Sequence, residues 1–198
     1  MTVPPTSVGV MAGWGSPLSF ADGFVAPGGR YRGSVPTLGQ PNATFAGDRG
    51  EPNPALRALI AHAYDDTTAY QRAVVGLCTG RFLLPVVASG DEAGDGPDPT
   101  RHAEMAAVLV QSDAGATAVP VFTGLDALSA WQPGARPVPC TLDDVAATVI
   151  ETSSAAMVID LAGPAQVVLE GEVVSRLAQG HRLVELDDGG FAWVYAGE

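Results

Sequence analysis

Apolar positions along this chain change period often, and each change marks an element. Leu56, Leu59, Ile60 and Ala63 recur at helical spacing behind Asn53-Pro54, a capping residue followed by a first-turn proline. After Asp65-Asp66-Thr67, a second helical stripe carries Tyr70, Val74, Leu77 and Cys78 and stops at Gly80. Residues 82 to 88 then run almost uninterruptedly apolar, the pattern of a buried strand. Pro85 inside that run predicts an edge strand or a bulge. AEMAAVLVQ and ATAVPVFT flank a short turn at Ser112-Asp113-Ala114-Gly115 and read as a hairpin.

Helical stripes follow at Leu125, Leu128, Trp131 and at Leu142, Val145, Ala146, Val149, Ile150. Before them, Thr123 with Asp126 and Thr141 with Asp144 match the S/T-x-x-D capping box. A short proline-interrupted strand over 136 to 141 separates the two. Strands at 156 to 161 and 165 to 170 come next, then a helix with Val173, Val174, Leu177 and Ala178. Runs at 182 to 186 and 191 to 196 enclose Asp187-Asp188-Gly189-Gly190, the clearest hairpin turn in the chain. This order predicts an α/β or α+β fold, a mixed sheet of about five to seven strands with short helices packed on it.

The succession LPVV, EMAAVLV and AVPVFTGLDALSAWQPGARPVPC resembles the N-terminal-type domain of the SseB family in its actinobacterial form. Thr44-Phe45-Ala46-Gly47-Asp48 and Pro52-Asn53-Pro54-Ala55-Leu56 resemble its opening, so the likeness covers residues 43 to 170. The most specific piece is the PVFT…L…W…ARPVP run. The resemblance implies a fold and brings no catalytic residue set and no cofactor. We expect one α/β domain over 43 to 198 behind a Gly/Pro-rich arm at 1 to 42. Ten Gly and seven Pro in residues 1 to 52 argue against regular structure there. Aromatics punctuate the arm nonetheless, and Trp14, Phe20 and Phe24 are candidate docking residues on it.

Composition narrows the function classes. The net charge is −12 and all ten basic residues are arginine, which disfavours nucleic acid and anionic lipid. No apolar run approaches a membrane span and no signal-peptide pattern opens the chain. Cys78 and Cys140 both sit in apolar sequence, and buried reduced thiols of a cytoplasmic protein are the expectation, while their spacing also allows a disulfide between them.

Catalytic candidates are few. His102-Ala103-Glu104 and Pro139-Cys140-Thr141-Leu142-Asp143 partly match the H-x-E and P-C-x-x-C elements of zinc deaminases. In that alternative, a zinc-dependent hydrolase or deaminase, His102, Cys140 and Asp143 bind the metal and Glu104 moves protons. The second cysteine of the pattern is replaced by Asp143, and His102 precedes a strand instead of starting a helix. Asp91, Glu92, Asp95 and Asp98 lie in one loop but lack the alternation of an EF-hand. His62 falls on a polar helix face, and His181 follows a helix end, where a cation suits the dipole. The paired aspartates stand at helix starts and in a turn, where they cap. The residues favour a non-catalytic protein-interaction or regulatory module, with a protein partner or self-association. Prolines that leave strand edges available and the aromatic arm are its two sequence signals.

Overall fold

A computed structural model of the chain describes residues 30–34, 45–89, 104–112 and 114–195. The elements are β1 (Arg30–Ser34), α1 (Pro54–Ala61), α2 (Thr67–Leu77), β2 (Phe82–Ser89), β3 (Glu104–Gln111), β4 (Thr117–Val121) and α3 (Leu125–Trp131). They continue with β5 (Arg136–Cys140), α4 (Leu142–Glu151), β6 (Ala156–Ile159), β7 (Val167–Glu170), α5 (Gly171–Ala178), β8 (His181–Glu185) and β9 (Phe191–Tyr195). The α+β expectation holds. Seven strands form a mixed sheet in the order β5-β2-β3-β4-β6-β7, with β1 on β3, and β8 and β9 form a separate hairpin. Among the described residues, no helix is long and apolar enough to cross a membrane.

Local chemistry explains most boundaries. Asn53 Oδ1 accepts the Ala55 and Leu56 N–H groups at 3.0 and 3.3 Å and starts α1. Asp66 does the same for α2 through the Ala69 N–H at 2.8 Å. Thr141 and Asp144 close a complete capping box at the start of α4.

β4, β6 and β7 are buried on both faces, which is why they read as continuous apolar runs. Phe82, Leu84, Leu109, Val119, Val121, Met157, Ile159 and Leu169 meet α1, α2, α4 and α5 in one cluster. Leu83 and Phe122 point the other way, against Leu128 and Trp131 of α3. Trp131 packs on the Phe122 ring at 5.3 Å, a core role. Two stripes are narrower than the pattern predicts: Leu125 is exposed, and so is Ile150 at 57%. Both sit on the margin of a helical face.

Three expectations change. Pro85 lies in an internal strand, between β5 and β3. Leu83 sends its N–H and C=O to Phe122 at 2.8 and 3.0 Å. Backbone groups alternate along a strand, so Leu84 and its partner Val138 exchange the β2–β5 bonds. Pro85, Pro137 and Pro139 then fall where that ladder asks for no donor. The second change concerns edges. Pro137 and Pro139 place their missing N–H groups on the outer side of β5, so they blunt that edge instead of leaving it available. Third, Arg30–Ser34 is a strand, antiparallel to β3, inside the segment expected to lack regular structure. Its RYRGS run contains one glycine and no proline, unlike its surroundings.

The far edge of the sheet is closed by side chains. Tyr64 Oη accepts the Val168 N–H at 2.9 Å, and Tyr70 Oη donates to the Val168 carbonyl at 3.0 Å. Burial pushes both phenols above the ordinary tyrosine range. Both free backbone groups of Val168 in β7 are therefore answered from α2 and the loop before it.

Candidate functional site

Two places combine polar chemistry with an unusual backbone situation. One lies where the parallel strands β4 and β6 end together, the region in which open α/β sheets form ligand sites. Thr123 follows β4 and Asp160 follows β6. Asp160 is 1% exposed and holds φ +54, a conformation that Asp tolerates better than most residues. Gly163 closes the turn by donating its N–H to the Asp160 carbonyl at 2.7 Å. A Cβ on Gly163 would stand 2.8 Å from the Asp160 Cβ, so only glycine fits.

The Asp160 carboxylate accepts the Thr123 N–H at 2.8 Å and the Thr123 hydroxyl at 2.5 Å. Arg57 of α1 donates from Nε to Thr123 Oγ1 at 2.9 Å. Its other nitrogens grip both Asp126 oxygens at 2.6 and 2.7 Å, a bidentate pair. Arg81 donates to the Thr123 carbonyl at 3.1 Å and the Glu51 carbonyl at 2.6 Å, and its Nε pairs with Asp48 at 2.6 Å. Every polar group of Thr123 is thus engaged. The first predicted capping box is therefore not one. Gly124 is the residue before α3, without a side-chain cap, because Thr123 is turned to Asp160 and Asp126 to Arg57.

Electrostatics divide the two acids. The bond from Arg57 holds Asp126 below the usual carboxylate range. Burial pushes Asp160 up, against the pull of Thr123 and Arg57. Arg57 is raised by its bond to Asp126. The cluster ties α1, the loop before it, β2, β4 and β6 together. Its donors and acceptors are spent on each other, so its chemistry is that of a brace.

The second place is the β8–β9 hairpin. Leu183 of β8 is buried in the main core. Arg182 pairs with Asp143 of α4, and Arg72 of α2 pairs with Glu185 at 2.8 Å. Phe191 and Trp193 of β9 pack on the core margin, and Arg176 lies 5.7 Å over the Trp193 ring. Val194 and Tyr195 are 41% and 71% exposed. Among the described residues, β9 pairs with β8 alone.

Of the predicted site residues, the side chains of Cys140 and Asp143 are described, and each is engaged elsewhere. Cys140 is 1% exposed, its Sγ 3.6 Å from the Phe82 carbonyl, and burial pushes its thiol well above the ordinary value. Asp143 is held by Arg182. His102 lies outside the described residues, as do Trp14, Phe20, Phe24 and the acidic loop after Gly90. Among the described residues, no three His, Cys, Asp or Glu side chains cluster as a metal site. Cys78 and Cys140 are free thiols. His62 is exposed, its Nδ1 2.8 Å from Asp65. His181 follows the end of α5, where its ring packs edge-on against Tyr195 at 5.6 Å and its buried Nδ1 has no hydrogen-bond partner among the described residues.

Sequence reasoning missed Arg57, Asp160 and the outer edge of β9, which among the described residues pairs with no strand. A strand-ending Asp three residues before a Gly was the one available signal for Asp160. Nothing in the sequence singles out Arg57 from nine other arginines.

No curated protein and no solved structure matches the chain. The family model described as SseB protein N-terminal domain matches residues 56–176, which takes in Arg57, Arg81, Thr123, Asp126 and Asp160 of the brace and stops short of the hairpin. That match covers well over half of the sequence, and the chain belongs to the SseB family.

Proposed function

We propose that the chain is a non-catalytic protein-interaction module whose partner adds a strand to the outer edge of β9. The observation that carries this reading is the contrast between edges. β5 is blunted by Pro137 and Pro139 and β7 is capped by Tyr64 and Tyr70, whereas β9 is a regular, uncharged strand that, among the described residues, has no strand on its outer side. The closed hydrogen bonding of the brace supports a structural role for the buried acids. Trp14, Phe20 and Phe24 of the arm are a second proposed contact. Two free thiols and a strongly acidic surface suit a cytoplasmic setting.

Affinity capture from native lysate tests this with the intact chain, a Tyr195→Pro chain and a chain lacking residues 1 to 42. A specific partner held by the first and lost by the second supports the β9 surface. Loss only with the third moves the surface to the arm. No specific capture by any of the three, together with no self-association, overturns the module.

A further inference from the structure

We infer that the strand added to β9 is β9 of a second copy of this chain, paired antiparallel about a two-fold axis at Trp193. This rests on the strand-addition reading and commits it to one occupant. The phase of the hairpin ladder is set at its turn, where the Leu186 N–H meets the Gly190 carbonyl at 2.8 Å. In the same register, Val184 faces Ala192 and Arg182 faces Val194. Alternation makes those the bonded pairs. Phe191, Trp193 and Tyr195 therefore turn their N–H and C=O groups away from β8. A row of alternating donors and acceptors at strand spacing fits another strand and little else.

The choice of a second copy comes from the strand itself. A two-fold interface sets the same patch against itself. Antiparallel pairing centred on Trp193 sets Phe191 opposite Tyr195 of the partner subunit, and Trp193 opposite its own equivalent. All three outward-facing residues of each copy then meet outward-facing residues, so no donor or acceptor is misaligned. Aromatic pairs directly opposite each other are among the favourable cross-strand pairs. FAWVY carries no charge, proline or glycine, so no like charges meet across the axis and nothing in the strand resists pairing. The hairpin is already fixed to the domain by Leu183, Arg182–Asp143 and Arg72–Glu185, so little ordering is needed on association. Each copy carries −12, so the contact forms against long-range repulsion. Screening that repulsion strengthens it.

Sedimentation equilibrium of the full chain tests the pairing across a wide concentration range, at low and high salt, alongside hydrogen exchange. The expected result is a monomer–dimer equilibrium that tightens with salt. The Phe191, Trp193 and Tyr195 amides exchange more slowly as dimer forms. Tyr195→Pro removes an outward-facing N–H and weakens the dimer about tenfold or more, as loss of a bonded pair requires. Tyr195→Thr keeps that N–H and dimerises. Val194→Glu, at an exposed position, weakens the dimer without any demand on the core. A dimer unchanged by Tyr195→Pro and Val194→Glu overturns the proposal, and so does a chain that stays monomeric throughout. In the monomeric case, protection of the same three amides by a protein captured from lysate leaves the strand-addition reading standing with another occupant. No such protection removes both.

Discussion

The brace at the ends of β4 and β6 and the hairpin beyond α5 treat polar groups in opposite ways. In the brace, a buried carboxylate, a threonine and two arginines consume one another's hydrogen bonds. A buried donor without a partner costs about 1–3 kcal/mol, so such a site is either closed or unstable. At β9 the outer N–H and C=O groups face away from β8, and among the described residues no other strand takes them up. Closure marks a place that holds the fold. An edge of this kind is what the proposed strand addition requires. The family match takes in Arg57, Arg81, Thr123, Asp126 and Asp160 of the brace and ends before the hairpin.

The comparison breaks most visibly at Asp160. Asp160→Ala strands the Thr123 N–H and leaves Arg57 a buried neighbour short, a loss of about 3 kcal/mol or more. Asp160→Asn keeps an acceptor and the tolerance for positive φ, and costs roughly half as much. Urea unfolding of the two variants checks the ranking. Equal losses would mean that the backbone conformation, and not the hydrogen bonds, matters there.

The two S/T-x-x-D motifs offer a sharper, smaller test. Thr141→Ala removes an N-cap and costs about 1 kcal/mol. Thr123→Ala removes a donor to one buried acid and an acceptor for Arg57, and costs about 2–3 kcal/mol. Thermal denaturation of both single variants and the double variant decides this, and distant sites of this kind should add. A Thr123 effect no larger than that of Thr141 would reduce the brace to an ordinary cap.

Acid titration probes the same cluster more gently. Asp126 is lowered in the folded state, so its contribution is present above the unfolded carboxylate value near 3.8 and lost as pH falls through the folded value. Its side chain is 56% exposed, and screening limits the effect to at most about 1 kcal/mol. Asp160 works with the opposite sign. Its raised value favours the protonated folded form, so its contribution is present at low pH and is lost as pH rises through the folded value. Stability of Asp126→Asn against pH should therefore show a shallower acid decline than the parent, and Asp160→Asn a steeper one. The reverse order would contradict the assigned environments.

The smallest expected effect is at the hairpin. Tyr195→Pro should change monomer stability by no more than about 1 kcal/mol, because the lost N–H does not serve the β8 ladder. A large loss measured by denaturation would show β9 to be structurally closed and would erase the contrast with the brace.

Local order in this chain was written in the sequence. Asn53-Pro54 starts α1, Thr141 with Asp144 starts α4, and Asp187-Asp188-Gly189-Gly190 turns β8 into β9, each through bonds spanning a few residues. The apolar runs likewise specify strands buried on both faces, and their order specifies a mixed sheet. What needed tertiary structure was every assignment that depends on a distant partner. Thr123 has the same local pattern as Thr141, yet Asp160 and Arg57, far away in sequence, take its hydroxyl away from α3. Pro85 reads as an edge residue until its register opposite Pro137 shows where ladder donors are needed. Whether an edge is open depends in the same way on what packs beside it: Tyr64 and Tyr70 close β7, and among the described residues nothing equivalent reaches β9. Short-range capping is encoded by neighbours in the chain. Burial and pairing are set by residues that meet only after the sheet has formed.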